Sequence, residues 1–150
     1  MLVASCTRET GAEFARTLFP ELEFERVLAA KLRHKGGHGC TYVVLRLPQD
    51  VETEPPVVVP QWAAHSFEQE GAWRPTPVVE SRKVLGPRQS CLVGDPYNLD
   101  GAGIDGYGQD ILDLITSRGA WVSIHGRGEG QVLMLYAPDA RLAFHLRYGD

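Results

Sequence analysis

Apolar positions change their spacing several times along the chain, and each change predicts an element. Phe14, Leu18 and Phe19 fall on one side of a helix that Thr10 and Glu13 open at capping-box spacing and Pro20 closes. In the next run, "ELEFERVLAAKL" (21–32), Leu22 and Phe24 alternate with glutamates as in a strand. Phe24, Leu28 and Leu32, spaced by four, also suit a helix. The following "HKGGHG" reads as a turn and "CTYVVLRLP" (40–48) as a strand rich in β-branched residues, so a β-hairpin is the preferred reading.

The middle of the chain is broken by proline. "PQDVETEPPVVVP" (48–60) carries four prolines and predicts a surface connection or a sheet edge, because proline lacks the N–H that a ladder needs. "RPTP" (74–77) interrupts again, and "VVESRKVL" and "SCLVG", joined by "GPRQ", predict a second hairpin. "QDILDLITSRG" (109–119) is a helix by the shared face of Ile111, Leu114 and Ile115, with Gly119 suited to the left-handed position after its end. Three strand-like runs close the chain: "AWVSIHG", "QVLMLYAP" and "RLAFHLRYG". The middle one is apolar on both faces. In the last, Leu142, Phe144, Leu146 and Tyr148 alternate with Arg141, Ala143, His145 and Arg147, the pattern of a half-buried strand. The expected fold is therefore α+β, one domain over residues 1–150. An antiparallel sheet of five to seven strands would carry about two helices on one face and end in a three-strand meander.

Composition changes this picture little. At 150 residues, 43% hydrophobic and 23% charged, the chain has the make-up of an ordinary globular domain. A formal charge of −4 argues against a nucleic-acid partner, which is usually met by a basic footprint. The bias of twelve arginines to three lysines fits a GC-rich bacterial genome as well as any function. No run approaches the roughly 20 apolar residues of a membrane span. Cys6, Cys40 and Cys91 are odd in number and far apart, with no C-x-x-C pair, which predicts three reduced thiols and a cytoplasmic location. "VASC" (3–6) has the form of a lipoprotein cleavage box, but only five residues precede Cys6, and it is read as coincidence.

Charge is more telling in its distribution. Residues 26–46 hold five basic side chains and no acid, whereas residues 95–113 hold Asp95, Asp100, Asp105, Asp110 and Asp113 and no base. The second patch overlaps "GDPYNLDGAGIDGYGQD" (94–110), five glycines and four aspartates in seventeen positions. A calcium loop fails there: with Gly101 at the sixth position, Pro96 and Tyr107 occupy the first and twelfth, where oxygen ligands belong. A phosphate loop lacks its lysine and would set aspartates against the anion. No metal or cofactor is implied. What remains is a flexible acidic connection, or a lobe that meets a basic partner through Asp100 and Asp105 with Tyr97 and Tyr107 as aromatic anchors. Trp62 and Trp73, set among prolines and polar residues, are the other partner-binding candidates.

Catalytic candidates are few. His38 stands two residues from Cys40 and would lower its thiol pKa if both pointed one way along a strand. His125 sits beside the "GRGEG" turn, and Arg141, His145 and Arg147 form a potential cationic row for an anion. Each has a plain structural reading as well: a buried thiol, a polar turn, a solvated sheet face. Two classes of function follow. The favoured one is a small soluble cytosolic protein that binds a protein partner, such as an immunity-type inhibitor of a toxin or other enzyme. The alternative is a small metal-independent hydrolase or nuclease using histidine, arginine and acidic groups. A catalytic site would bring at least two histidines and an acid into one concavity.

Overall fold

A computed structural model of the chain describes residues 10–32, 40–56, 73–78, 91–92, 104–125 and 131–148. In chain order its elements are α1 (Gly11–Leu18), β1 (Arg26–Lys31), β2 (Cys40–Arg46), β3 (Arg74–Pro75), α2 (Gly108–Thr116), β4 (Trp121–His125), β5 (Gln131–Ala137) and β6 (Leu142–Tyr148). The strands form one antiparallel sheet in the order β1-β2-β6-β5-β4-β3. The expected α+β class, two helices and the C-terminal meander are present among the described residues. The ambiguous run 21–32 resolves to a strand, with β1 paired to β2.

Local chemistry accounts for the helix boundaries. The Thr10 hydroxyl accepts from the Glu13 N–H at 3.2 Å, and the Thr10 N–H donates to the Glu13 carboxylate at 2.7 Å, so the capping box closes in both directions. α2 starts at Gly108 without a side-chain cap and ends at Thr116, so Gly119, at φ +103°, serves the turn into β4 rather than the position just after the helix. The edges of the sheet are guarded. β1 carries exposed Arg26 and Lys31 at its ends and a register shift between Val27 and Ala29, and β3 is two residues long and contains Pro75. Residues 74–75, expected only to interrupt, thus supply a short edge strand. Of the predicted second hairpin, Val78, Cys91 and Leu92 are described. Cys91 and Leu92 are helical, and the remaining residues lie outside the described set.

The two helices lie on opposite faces of the sheet, not on one. Tyr42, Val44, Leu133, Leu135, Phe144 and Leu146 pack with Ile111 and Ile115 of α2. Val43, Leu45, Val132, Met134 and Ala143 pack with Ala15 of α1 and with Phe19. β2 and β5 are apolar at successive positions, so a single covered face would leave side chains worth about 1.5–3 kcal/mol each in water. For the same reason β6 is not half-exposed: His145 is 3% exposed and meets the edges of Phe14 and Phe19.

The thiols also differ from expectation. Cys40 and Cys91 form a disulfide across 51 positions of sequence, with Cα atoms 5.9 Å apart. Wide spacing in sequence conceals this pairing, because only packing brings Cys91 and the fully buried Leu92 against the start of β2 on the α2 side. Cys6 lies outside the described residues. No helix among the described residues is long and apolar enough to cross a membrane.

Candidate functional site

A concavity on the α1 side of the sheet owes its shape to two short segments. Residues 21–23 follow α1, and residues 48–56 follow β2. Together with Tyr136 at the end of β5 they enclose a cleft of about 570 Å³. That volume suits a few side chains of a partner or a small ligand. Its acidic side chains are Glu21, Glu23, Asp50, Glu52 and Glu54, and its apolar ones include Leu22, Val51 and three prolines; among the described residues no lysine, arginine or histidine lines it.

The wall formed by 52–56 is held by side-chain donors from other segments. Proline leaves this segment without regular pairing, so its carbonyls need outside donors. Three aromatic side chains supply them. The Tyr136 hydroxyl donates to the Glu52 carbonyl at 2.6 Å, and the Trp121 indole to that of Thr53 and the Trp73 indole to that of Pro56, both at 3.2 Å. All three rings also pack against the α1-side core. Burial, and then the nearby Glu52 carboxylate, raise the Tyr136 phenol above its ordinary pKa, so it stays a neutral donor at physiological pH.

The five acids line the cleft without converging. Among the described residues no group of three or more His, Cys, Asp or Glu side chains is placed to hold a metal ion. A distributed negative surface of this kind complements several cationic groups at once better than one point charge.

The residues singled out from sequence fare differently. Trp73 is half-buried, and its N–H is engaged in the wall of the cleft. Asp105 is exposed, yet its carboxylate accepts from the buried Tyr42 hydroxyl at 2.8 Å, which ties the glycine–aspartate segment to β2. Ile104, Asp105 and Gly106 all have positive φ (59°, 51° and 92°), a strained turn for isoleucine that this bond and the burial of Ile104 help to hold. Tyr107 precedes α2 and packs against the α2-side core. Asp100, Tyr97, Trp62 and His38 lie outside the described residues. His125 contributes its backbone to β4, opposite Val132.

Arg141, His145 and Arg147 do not form a cationic row. Arg141 stands in the turn before β6 at φ +53°, where it bonds the Leu47 carbonyl (3.0 Å) and the Glu25 carboxylate (2.8 Å). His145 is covered by α1, and Arg147 is partly buried, its Nε shielded from solvent. Cys40 is in its disulfide and is no free nucleophile in this state.

Sequence reasoning missed the acids of the cleft. Their signal was visible as the spacing of "ELE" (21–23) and "DVETE" (50–54), but nothing in the chain's order brings those two runs to one opening. No family model, curated protein or solved structure matches this chain.

Proposed function

We propose that the protein is a binding protein and that the acidic cleft receives a basic, extended segment of a protein partner. The observation that carries this reading is the cleft itself: five carboxylates and several apolar side chains, with no cation among its described lining residues, and a wall that three aromatic donors preorganise. A wall ordered before binding spares the complex part of the ordering cost. Inhibition of an enzyme or toxin that presents basic residues, expected from the sequence through the acidic 94–110 segment, is the specific form that the charge of the cleft supports. Exposed ion pairs contribute only about 0.2–1 kcal/mol each, so the charges would act mainly on encounter rate and specificity, and Leu22, Val51 and the prolines on residence.

The hydrolase or nuclease alternative draws no support from the described residues: His145 is beneath α1 and Cys40 is bonded to Cys91. The expectation of a cytoplasmic location rested on reduced thiols, and the disulfide withdraws that ground.

The test is stopped-flow binding of a fluorescent arginine- and proline-rich peptide, compared with an acidic peptide of equal length. The parent should bind the basic peptide in a salt-dependent manner, and combined Glu21→Gln, Glu23→Gln, Glu52→Gln and Glu54→Gln should slow association by about tenfold or more. Asp110→Asn, on the exposed side of α2, should leave the rate unchanged. Equal rates for parent and cleft variant would reject the cleft as the contact surface.

A further inference from the structure

We infer that Arg26 and Arg46 form a binding site for a doubly charged oxyanion of the phosphate class, at the corner of the sheet where β1 begins and β2 ends. The two residues are Cα partners in the antiparallel β1–β2 ladder. Directly opposed residues put their side chains on one face with β-carbons about 4.5–5.5 Å apart, and like charges so placed repel. The face is the α2 side: Arg46 follows Tyr42 and Val44 in alternation, and its partner on β6 is Leu142 of the same cluster. Arg46 is partly buried, so water relieves its charge only in part. A ligand with two negative charges turns this repulsion into joint attraction, and planar guanidinium forks match its oxygens.

The neighbouring carboxylates are committed elsewhere. Glu25 is taken by Arg141 at 2.8 Å, the Asp139 side chain lies toward Gly119, and Glu23 lines the cleft on the α1 side. Three arginines, Arg26, Arg46 and Arg141, therefore meet one carboxylate, an excess of two positive charges among the described residues of this corner. Arg46 is also positioned in advance, because its Nη1 donates to the Ala140 carbonyl at 3.3 Å. That carbonyl belongs to a turn strapped to the residue after β2. The Leu47 N–H donates to the Arg141 carbonyl at 2.9 Å, and the Arg141 Nε donates to the Leu47 carbonyl at 3.0 Å. The turn closes on itself as well, from the Arg141 N–H to the Pro138 carbonyl at 3.0 Å. Arg141 keeps φ +53° there, a left-handed conformation that strains a residue other than glycine and persists because these bonds enforce it. A guanidinium held before its ligand arrives loses less freedom on binding. Arg46 is the fixed half of the site, and exposed Arg26 is the half that closes. The site lies on the face opposite the acidic cleft and does not depend on the function proposed above.

The experiment is calorimetric titration of the full chain with inorganic phosphate and with glycerol phosphate. It is run at about pH 8, where a phosphate monoester is a dianion, with sodium chloride holding the ionic strength constant. The parent should bind saturably at one site per chain. Arg26→Gln and Arg46→Gln should each weaken binding by about tenfold or more, and so should Arg46→Lys, which keeps the charge but not the fork. Lys31→Gln removes an exposed cation from the same strand and should leave the affinity unchanged. Glycerol phosphate binding as tightly as inorganic phosphate identifies a group carried on a larger ligand, whereas inorganic phosphate alone identifies the free ion. A response that does not saturate, or equal weakening by Arg26→Gln and Lys31→Gln, is the mark of diffuse charge and overturns the site. Arg26 is exposed and its replacement leaves the core intact, so the decision stands even where an Arg46 variant fails to fold.

Discussion

Tyr42 has its phenol inside the sheet and its hydroxyl on a carboxylate. Burial first, and then the bond to Asp105, push its pKa up to about 12. A raised phenol pKa means that the folded chain keeps a proton which the unfolded chain gives up near pH 10. The stabilisation is therefore complete below about pH 10 and is lost as pH rises from there through about 12. Tyr42→Phe should cost about 1 kcal/mol at neutral pH, less than a fully buried charged hydrogen bond because exposed Asp105 regains water. Urea unfolding of both proteins at about pH 8 and about pH 11 should show that difference shrinking at the higher pH. A gap that widens would contradict the assignment. The Asp105 carboxylate was legible in the sequence as part of an acidic run; its bond to a tyrosine 63 positions away was not.

At the level of elements, α1 combines one local and one distant cause. Its capping box follows from Thr10 and Glu13 alone, whereas its burial follows from the apolar second face of β2, β5 and β6. The Glu13 carboxyl is held below the usual range by the Thr10 N–H and then by its hydroxyl. That contribution is present above the ordinary carboxylate pKa and is lost as pH falls through the lower folded value. Thr10→Ala should cost about 1 kcal/mol by thermal or urea unfolding at neutral pH, and Thr10→Ser should recover most of it. If serine is no better than alanine, the cap is not the cause. The helix also hides His145, which alternation had placed on an outer face; period two tells which residues share a face but not what covers that face.

For the molecule as a whole, the disulfide closes a long loop on the α2 side while the acidic cleft opens on the α1 side. Loop-closure entropy for a separation of 51 residues corresponds to about 4 kcal/mol of destabilisation of the unfolded chain. Reduction should therefore lower the unfolding free energy by up to about 4 kcal/mol without abolishing the sheet. Thiol titration in denaturant without reductant should find one thiol per chain, from Cys6, and three after reduction. Three at the outset would mean that Cys40 and Cys91 are not joined.

The order of residues determined what depends on near neighbours: the cap of α1, the alternation of β6, the doubly apolar β5 and hence the α+β class. Each of these arises from contacts or periodicities spanning a few positions, and the chain states them directly. Tertiary structure alone decided that the helices take opposite faces, that Cys40 meets Cys91, and that Glu21 and Glu23 line one cleft with Asp50, Glu52 and Glu54. These depend on which distant segments pack together, and that choice is made by burying both faces of the sheet at once, a condition that no local pattern contains.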